Sequence, residues 1–152
     1  MAEEIRSFRD LRVYQEMFAL QQDIFAATKL WPSEEKFSLT DQVRRSSRSM
    51  GANVTEAWAK RRYPAHFVSK LTDADGEQME TQHWLGTALD CDYITIEIEH
   101  AFAERCAEIG RMLGGMMEKA DIFCRDAPRV AREELSGYFV SSELDSHLNA
   151  DV

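Results

Sequence analysis

Apolar residues recur at helical spacing along most of the chain, in four stretches separated by short breaks. The first stretch, about residues 8–31, follows a possible capping pair at Ser7 and Asp10 and ends before Pro32, because proline disfavours helical geometry in the residue before it. Stretches at about 39–62 and 64–92 meet at Pro64, and the last covers about 95–124. The predicted inward positions, in chain order, are Val13, Met17, Leu20, Ile24, Ala27, Leu39, Val43, Met50, Val54, Ala57, Phe67, Leu71, Ala74, Gln78, Leu85, Leu89, Ile98, Phe102, Ile109, Leu113, Met116, Ala120 and Phe123.

Four long helices joined by short connections predict an all-α, antiparallel up-and-down four-helix bundle over residues 1–125. Residues 126–152 form an acidic tail and a short C-terminal extension of the bundle. The stretch REELSGYF in this tail predicts a short helix, docked on the body or on a neighbour. We expect the end of the chain to be disordered.

Two details of the first two helices bear on packing. Tyr14, Phe18 and Phe25 form a second apolar row on the first helix, which indicates either contact with another subunit or deep burial. Gly51 lies among small residues of the second helix, where glycine costs about 1 kcal/mol relative to alanine. That cost predicts the close approach of a neighbouring helix.

Composition restricts the class of protein. A chain of 152 residues with 44% hydrophobic and 30% charged residues is typical of one globular domain. It contains no run of roughly 20 apolar residues and no secretory signal pattern. Its three cysteines lack the spacing of a disulfide framework or a zinc site. We therefore expect a reduced, cytoplasmic protein with no membrane association.

Charge is distributed unevenly. The chain has a net charge of −9, yet residues 36–70 hold eight basic and two acidic residues, which leaves −15 on the remainder. Such asymmetry indicates an anionic partner at one surface, with Trp58 or Tyr63 available to stack on an unpaired base. Internal salt bridges, for example to Glu16 or Asp23, are an equally good interpretation. The candidate nucleic-acid-binding residues are Arg44, Arg45, Arg48, Lys60, Arg61 and Arg62.

Catalytic chemistry finds little support in the sequence. No nucleophile elbow or glycine-rich phosphate loop is present, so we expect a non-enzymatic protein without a cofactor. The less favoured alternative is a di-metal carboxylate oxidoreductase, because four-helix di-iron proteins use two single glutamates and two Glu-x-x-His pairs. The residues of that type are Glu16, Glu56, Glu80, His83, Glu97 and His100. The pair Glu80 and His83 on the third helix and the pair Glu97 and His100 on the fourth are out of register by on the order of 12 Å.

Two segments carry a family resemblance: FRDLRVYQ at 8–15 and PSEEKFSLTDQVRRSSRSMGANVTEA at 32–57. They resemble the family of proteins encoded by intervening sequences in 23S ribosomal RNA genes. That family is similar to the accessory variability determinant of diversity-generating retroelements. The family-like positions are Pro32, Glu35, Phe37, Leu39, Gln42, Arg44, Arg45, Ser49, Asn53 and Glu56, with weaker agreement to about residue 123. Ala57-Trp58 and Glu77 depart from the usual pattern.

The resemblance implies a homopentamer of antiparallel bundles around a central channel. In the retroelement members it also implies binding to nucleic acid and to a reverse transcriptase. Gln42, Asn53 and Glu56 are interpreted as a structural polar network, with a ligand site as the alternative for Asn53 and Glu56.

The leading hypothesis is therefore a cytoplasmic oligomer that binds RNA or another anionic partner through the basic residues of the second helix. A protein-interaction scaffold without nucleic-acid binding is the alternative.

Overall fold

The structure is a computed structural model that describes residues 7–125 and 135–140. Its helices are α1 (Arg12–Thr28), α2 (Asp41–Ala59), α3 (Pro64–Asp90), α4 (Ile96–Glu118) and α5 (Ala120–Phe123), and short 3-10 turns cover Phe8–Asp10, Ser33–Glu35 and Ser136–Tyr138. A π-helical segment, Lys36–Thr40, runs directly into α2. Since these residues contain no β-strand, the predicted all-α fold is confirmed. None of the helices in this part of the chain is long and apolar enough to cross a membrane.

Local hydrogen bonds explain where α1 begins. The Ser7 hydroxyl accepts from the Arg9 N–H at 2.9 Å, and the Ser7 N–H donates to the Asp10 carboxylate at 3.3 Å. This capping pair, anticipated from the sequence, closes a 3-10 turn, and α1 starts only at Arg12. The helix ends at Thr28, three residues before the buried Trp31.

Two other helix ends differ from their predicted positions. The second helix ends at Ala59 instead of Arg62, because Lys60 leaves helical geometry in the turn that leads to Pro64. The stretch predicted as one helix over 95–124 is interrupted at Lys119, whose N–H is shared by the carbonyls of Gly115 and Met116. This interruption turns α5 so that Phe123 is buried, with its ring centroid 5.6 Å from that of Phe67.

Two side-chain contacts show how α2 and α3 run relative to each other. Lys70, early in α3, forms a 2.7 Å ion pair with Glu56, late in α2. The hydroxyls of Ser46, early in α2, and Thr81, late in α3, are hydrogen-bonded at 2.8 Å. Both α2 and α4 contact α1 and α3. The end of α2 therefore lies beside the start of α3.

Most of the predicted inward positions are buried, but α4 differs at its start. Ala27, Leu89, Phe102 and Ala120 are only partly buried, and Ile98 is 42% exposed. The fully buried residues of α4 begin at Cys106, and of residues 96–105 only Phe102 packs against the core, as a partly buried side chain. The prediction that Ile98 faces the core is wrong because the first turns of this helix lie beyond the packed interior.

Gly51 is buried against the ring of Tyr14, as close helix approach would require. A Cβ at this position would lie 3.6 Å from the nearest Tyr14 atom, which is ordinary van der Waals contact. The packing therefore leaves room for a methyl group, and the helices approach less closely than predicted.

The described part of the tail packs on the body of the same chain. Leu11 and Phe139 form an isolated antiparallel bridge, and the Val140 N–H donates to the Asp10 carbonyl at 3.1 Å. The Phe139 ring centroid lies 6.1 Å from that of Trp58. Docking on the body is thus observed for residues 135–140. The start of the predicted helix REELSGYF and the expected disordered end lie outside the described residues.

Candidate nucleic-acid interface

The six basic candidates form two separate groups along α2. Arg44, Arg45 and Arg48 lie in the first half of the helix, whereas residues 60–62 follow its last turn. Twelve residues separate Arg48 from Lys60, which corresponds to about 18 Å at 1.5 Å per helical residue. The sequence prediction of one basic surface is therefore replaced by two surfaces with different surroundings.

In the first group, side chains of α1 contact the guanidinium groups of Arg44 and Arg48. Arg44 Nε donates a hydrogen bond to Thr28 Oγ1 at 2.8 Å, and its guanidinium carbon lies 4.6 Å from the Phe25 ring centroid. The guanidinium carbon of Arg48 lies 5.2 Å from the same centroid. Both distances are within the range of cation–π interactions. Phe25, predicted to contact another subunit or to be deeply buried, thus supports two arginines.

No carboxylate in the described part of the chain lies within ion-pair distance of Arg44, Arg45 or Arg48. Asp23, one of the acids suggested as an internal partner, instead contacts Arg105 Nη1 at 2.7 Å. Glu16, the other suggested partner, is exposed on α1. The positive charges of these three arginines are therefore not neutralised by close ion pairs.

The charge of Arg45 affects a carboxylate beyond ion-pair distance, that of Glu77. Burial, followed by the neighbouring Glu80, raises the pKa of Glu77 on α3, and Arg45 partly opposes this rise. Arg45 therefore acts on Glu77 at long range while its side chain stays exposed.

The three arginines line an open depression of about 720 Å³ on the surface of α2. Its other lining residues include Phe37, which is 75% exposed. Asp41 contributes one negative charge, so the charged lining carries a net positive charge. The complete lining is Phe37, Asp41, Gln42, Arg44, Arg45, Arg48, Ser49 and Ala52.

The second basic group is partly used for packing. Arg61 Nε donates to the Trp58 carbonyl at 2.9 Å, and its guanidinium carbon lies 3.5 Å from the Trp58 ring centroid. Burial lowers the pKa of Arg61, and Phe139 packs against Trp58 in an edge arrangement. Arg61 and Trp58 are therefore engaged within the chain, whereas Lys60 and Arg62 are exposed. Tyr63, the other suggested stacking residue, is 56% exposed.

Gln42, Asn53 and Glu56 do not form the predicted polar network. Asn53 Nδ2 donates to the Ser49 carbonyl at 3.0 Å, one turn earlier on the same helix. Glu56 is directed to Lys70 on α3, and this contact lowers the pKa of Glu56. Gln42 lines the depression. No hydrogen bond joins any two of these three side chains within residues 7–125 and 135–140, because each lies in different surroundings along α2.

The residues suggested for a di-metal site are not brought together. Glu80 accepts a hydrogen bond from Trp84 Nε1 at 3.2 Å, while Glu56 is bound to Lys70. His100 is exposed beside Glu99. Within residues 7–125 and 135–140, no three His, Cys, Asp or Glu side chains form a group that could hold a metal ion.

Sequence reasoning missed three residues that shape the interface. Thr28 and Phe25 hold Arg44 from another helix, which no local pattern indicates. For Phe37 the sequence predicts no contact with a ligand, only a family-like position. Its spacing of four, eight and eleven residues from Asp41, Arg45 and Arg48 could have placed it on the same helical face.

These features define an all-α protein with an arginine-lined depression on its second long helix. A family model described as "23S rRNA-intervening sequence protein" matches residues 9–115, and the chain belongs to this family. The chain is also similar to a crystal structure from Bacteroides thetaiotaomicron, described as a protein with unknown function from the S23 ribosomal protein family. That similarity has 30% sequence identity and a TM-score of 0.63, and covers 70% of this chain and 95% of the other. No curated protein matches the chain.

Proposed function

We propose that this protein is a non-enzymatic RNA-binding protein whose contact surface is the depression around Arg44, Arg45 and Arg48. The observation that carries the proposal is the absence of a close carboxylate partner for these arginines among the described residues of a chain with net charge −9. Unneutralised guanidinium groups bind phosphates by charge and by paired hydrogen bonds. The proposed ligand is therefore a polyanion, and the family description makes a segment of 23S ribosomal RNA the first one to test.

The contacts from α1 favour binding through this group over the group at residues 60–62. Thr28 and Phe25 restrict Arg44 before any ligand arrives, so less side-chain entropy is lost when a phosphate binds. Arg61, by contrast, is buried enough to lower its pKa, so less of its guanidinium group is open to a phosphate. We therefore assign Lys60 and Arg62 only a supporting role at the edge of a longer RNA.

We further propose that α1–α4 form an antiparallel up-and-down bundle, and that the protein assembles into a homopentamer in the cytoplasm. The Lys70–Glu56 and Ser46–Thr81 contacts support the antiparallel arrangement. Self-association is supported by the first turns of α4, where Ile96 is 51% exposed and Ile98 is 42% exposed. The sequence resemblance alone supports three further points: that the assembly has five subunits, that the protein is similar to the retroelement accessory determinant, and that a reverse transcriptase is a partner.

A protein-interaction scaffold without nucleic-acid binding is the second candidate. Leu30, which follows α1, is 90% exposed, an unusual position for a large aliphatic side chain without a partner. In this alternative, the exposed apolar residues bind another protein and the arginines only maintain solubility.

The proposal predicts that the full-length protein binds a short single-stranded RNA at low salt, measured by fluorescence anisotropy. Replacing Arg44, Arg45 and Arg48 together by Ala should weaken binding by at least tenfold, because three phosphate contacts are lost. The matched control replaces Lys60 and Arg62 by Ala and should change the affinity by less than about threefold, which corresponds to under 1 kcal/mol.

Circular dichroism of each variant checks that the helices remain. Absence of RNA binding at low salt would contradict the proposal and favour the scaffold. Equal losses in the two variants would instead assign binding to the overall charge of α2.

A further inference from the structure

We propose that the depression is a site for an unpaired nucleotide, with the base stacked on Phe37 and the flanking phosphates on Arg45 and Arg48. This inference rests on the proposed RNA binding and adds the class of RNA and the residue that recognises it. Its ligand is a single strand, not a duplex.

Phe37 is the central observation. Its side chain is 75% exposed, although Leu39, two residues further along the chain, is buried. Single exposed apolar residues are common, but this one lines the same depression as the three unneutralised arginines. Lys36 Nζ lies 5.4 Å from the Phe37 ring centroid and adds a further positive charge. An aromatic ring beside a cationic groove is the usual arrangement for binding single-stranded nucleic acid.

Helical geometry places the aromatic ring and the charges along one line. The π-helical segment that contains Phe37 continues into α2, so Phe37, Asp41, Arg45 and Arg48 follow one another at spacings of four, four and three residues. The eleven residues from Phe37 to Arg48 span about 16 Å at 1.5 Å per residue. A single strand lying along this line would present a base at one end and several phosphates at the other.

Groups that can contact a base edge line the same depression as Phe37. The side-chain amide of Gln42 has no hydrogen-bond partner among the described residues, and it offers both donors and an acceptor. The Asp41 carboxylate accepts only. Unpaired bases are recognised through such edge contacts together with stacking on aromatic rings.

A duplex does not satisfy the same site. Its bases are stacked on one another inside the helix, so Phe37 would contact the sugar-phosphate backbone and gain nothing from its aromatic face. The arginines would contact duplex and single strand alike. The abasic single strand, which carries the same charge as the intact one, isolates the contribution of Phe37 from that of charge.

The test compares three ligands of equal length: a single-stranded RNA, the same strand with abasic sites, and its duplex. The abasic strand keeps every phosphate and removes the stacking partners. We expect the intact single strand to bind the full-length protein most tightly. Phe37→Ala should weaken that binding about 5- to 150-fold, because one stacked base contributes about 1–3 kcal/mol. Binding of the abasic strand should not change in this variant.

Phe18→Ala is the matched control, because Phe18 is also an exposed phenylalanine (48%) but lies on α1 outside the depression. It should leave all three affinities unchanged. Equal binding of the abasic and intact strands, tighter binding of the duplex, or no effect of Phe37→Ala would overturn this inference. RNA binding that still depends on the arginines would then leave the proposed function standing. Absence of binding by all three ligands at low salt would remove both.

Discussion

At the scale of single residues, the arginines of α2 and of the turn after it have different environments. The environment of each guanidinium group determines whether it can bind a ligand. Arg61 lies 3.5 Å from the Trp58 ring centroid and is partly buried, whereas Arg45 is exposed and affects Glu77 only through its charge. Arg44 is intermediate, because Thr28 and Phe25 hold it while it still lines the depression. Availability therefore depends on contacts with other elements and not on the local density of basic residues.

Glu77 provides a prediction at this scale. Its pKa is raised by burial and by Glu80, so the folded protein binds its proton more tightly than the unfolded chain does. Its contribution to stability is therefore full below its ordinary pKa of 4.5 and is lost as the pH rises through the higher folded value. Glu77→Gln should raise the Tm at pH 7, by an amount equivalent to less than about 1 kcal/mol since the group remains partly solvated. The difference should vanish near pH 4.

Thermal melts at both pH values test this prediction, with Arg45→Ala as the control. Removing Arg45 removes the charge that opposes the raised pKa, so it should lower the Tm at pH 7 in the natural protein and not in the Glu77→Gln background. A Tm increase of equal size at pH 4 and pH 7 would show that ionisation of Glu77 is not the cause.

At the scale of elements, helical periodicity predicted which side of each helix is buried, because burial follows the period of the helix. Helix ends were less predictable, since they depend on individual backbone turns such as those at Lys60 and Lys119. Partners distant in sequence were not predictable at all: Asp23 pairs with Arg105, which lies 82 residues away. The density of basic residues in the sequence predicted where the candidate site lies. It did not predict that Arg44 contacts α1 or that Arg61 packs on Trp58, because both contacts depend on the folded structure.

The two adjacent glycines of α4 give a prediction for this element. A Cβ at Gly114 would meet no atom within 4 Å, so Gly114→Ala should stabilise the protein by up to about 1 kcal/mol through helix propensity. A Cβ at Gly115 would lie 2.9 Å from the Tyr138 hydroxyl, and this contact would displace the docked segment at residues 135–140. Gly115→Ala should therefore gain less stability than Gly114→Ala.

Chemical denaturation of both variants measures the difference. In a Tyr138→Phe background the clashing hydroxyl is absent, so much of the missing gain should return to Gly115→Ala. Equal stabilisation by the two alanine substitutions in the natural protein would mean that Tyr138 does not pack against α4 in solution.

At the scale of the whole molecule, the acidic excess and the arginine depression have separate consequences. The net charge of −9 limits non-specific attraction to nucleic acid, while the local positive charge around Arg45 and Arg48 lies at the surface that we propose for RNA binding. The first turns of α4, where Ile96 and Ile98 are exposed, are the second surface, which we propose for contact between copies.

Self-association is testable by sedimentation velocity. The proposed pentamer should sediment with five times the 17.5 kDa mass of one chain. Replacing Ile96 and Ile98 together by Glu should dissociate it, because buried charges in an interface carry a large desolvation penalty. Met79→Glu on α3, where the methionine is 57% exposed, is the control and should leave the assembly intact. A monomeric natural protein at micromolar concentration would contradict the proposal.

The salt dependence of RNA binding tests the central claim most directly. For a short single strand held by three phosphate contacts, log K should fall against log salt with a slope of about −2, since each contact contributes about −0.7. Replacing Arg44, Arg45 and Arg48 by Ala should bring the slope close to zero at every RNA sequence. An unchanged slope in this variant would show that the depression is not the RNA-binding surface.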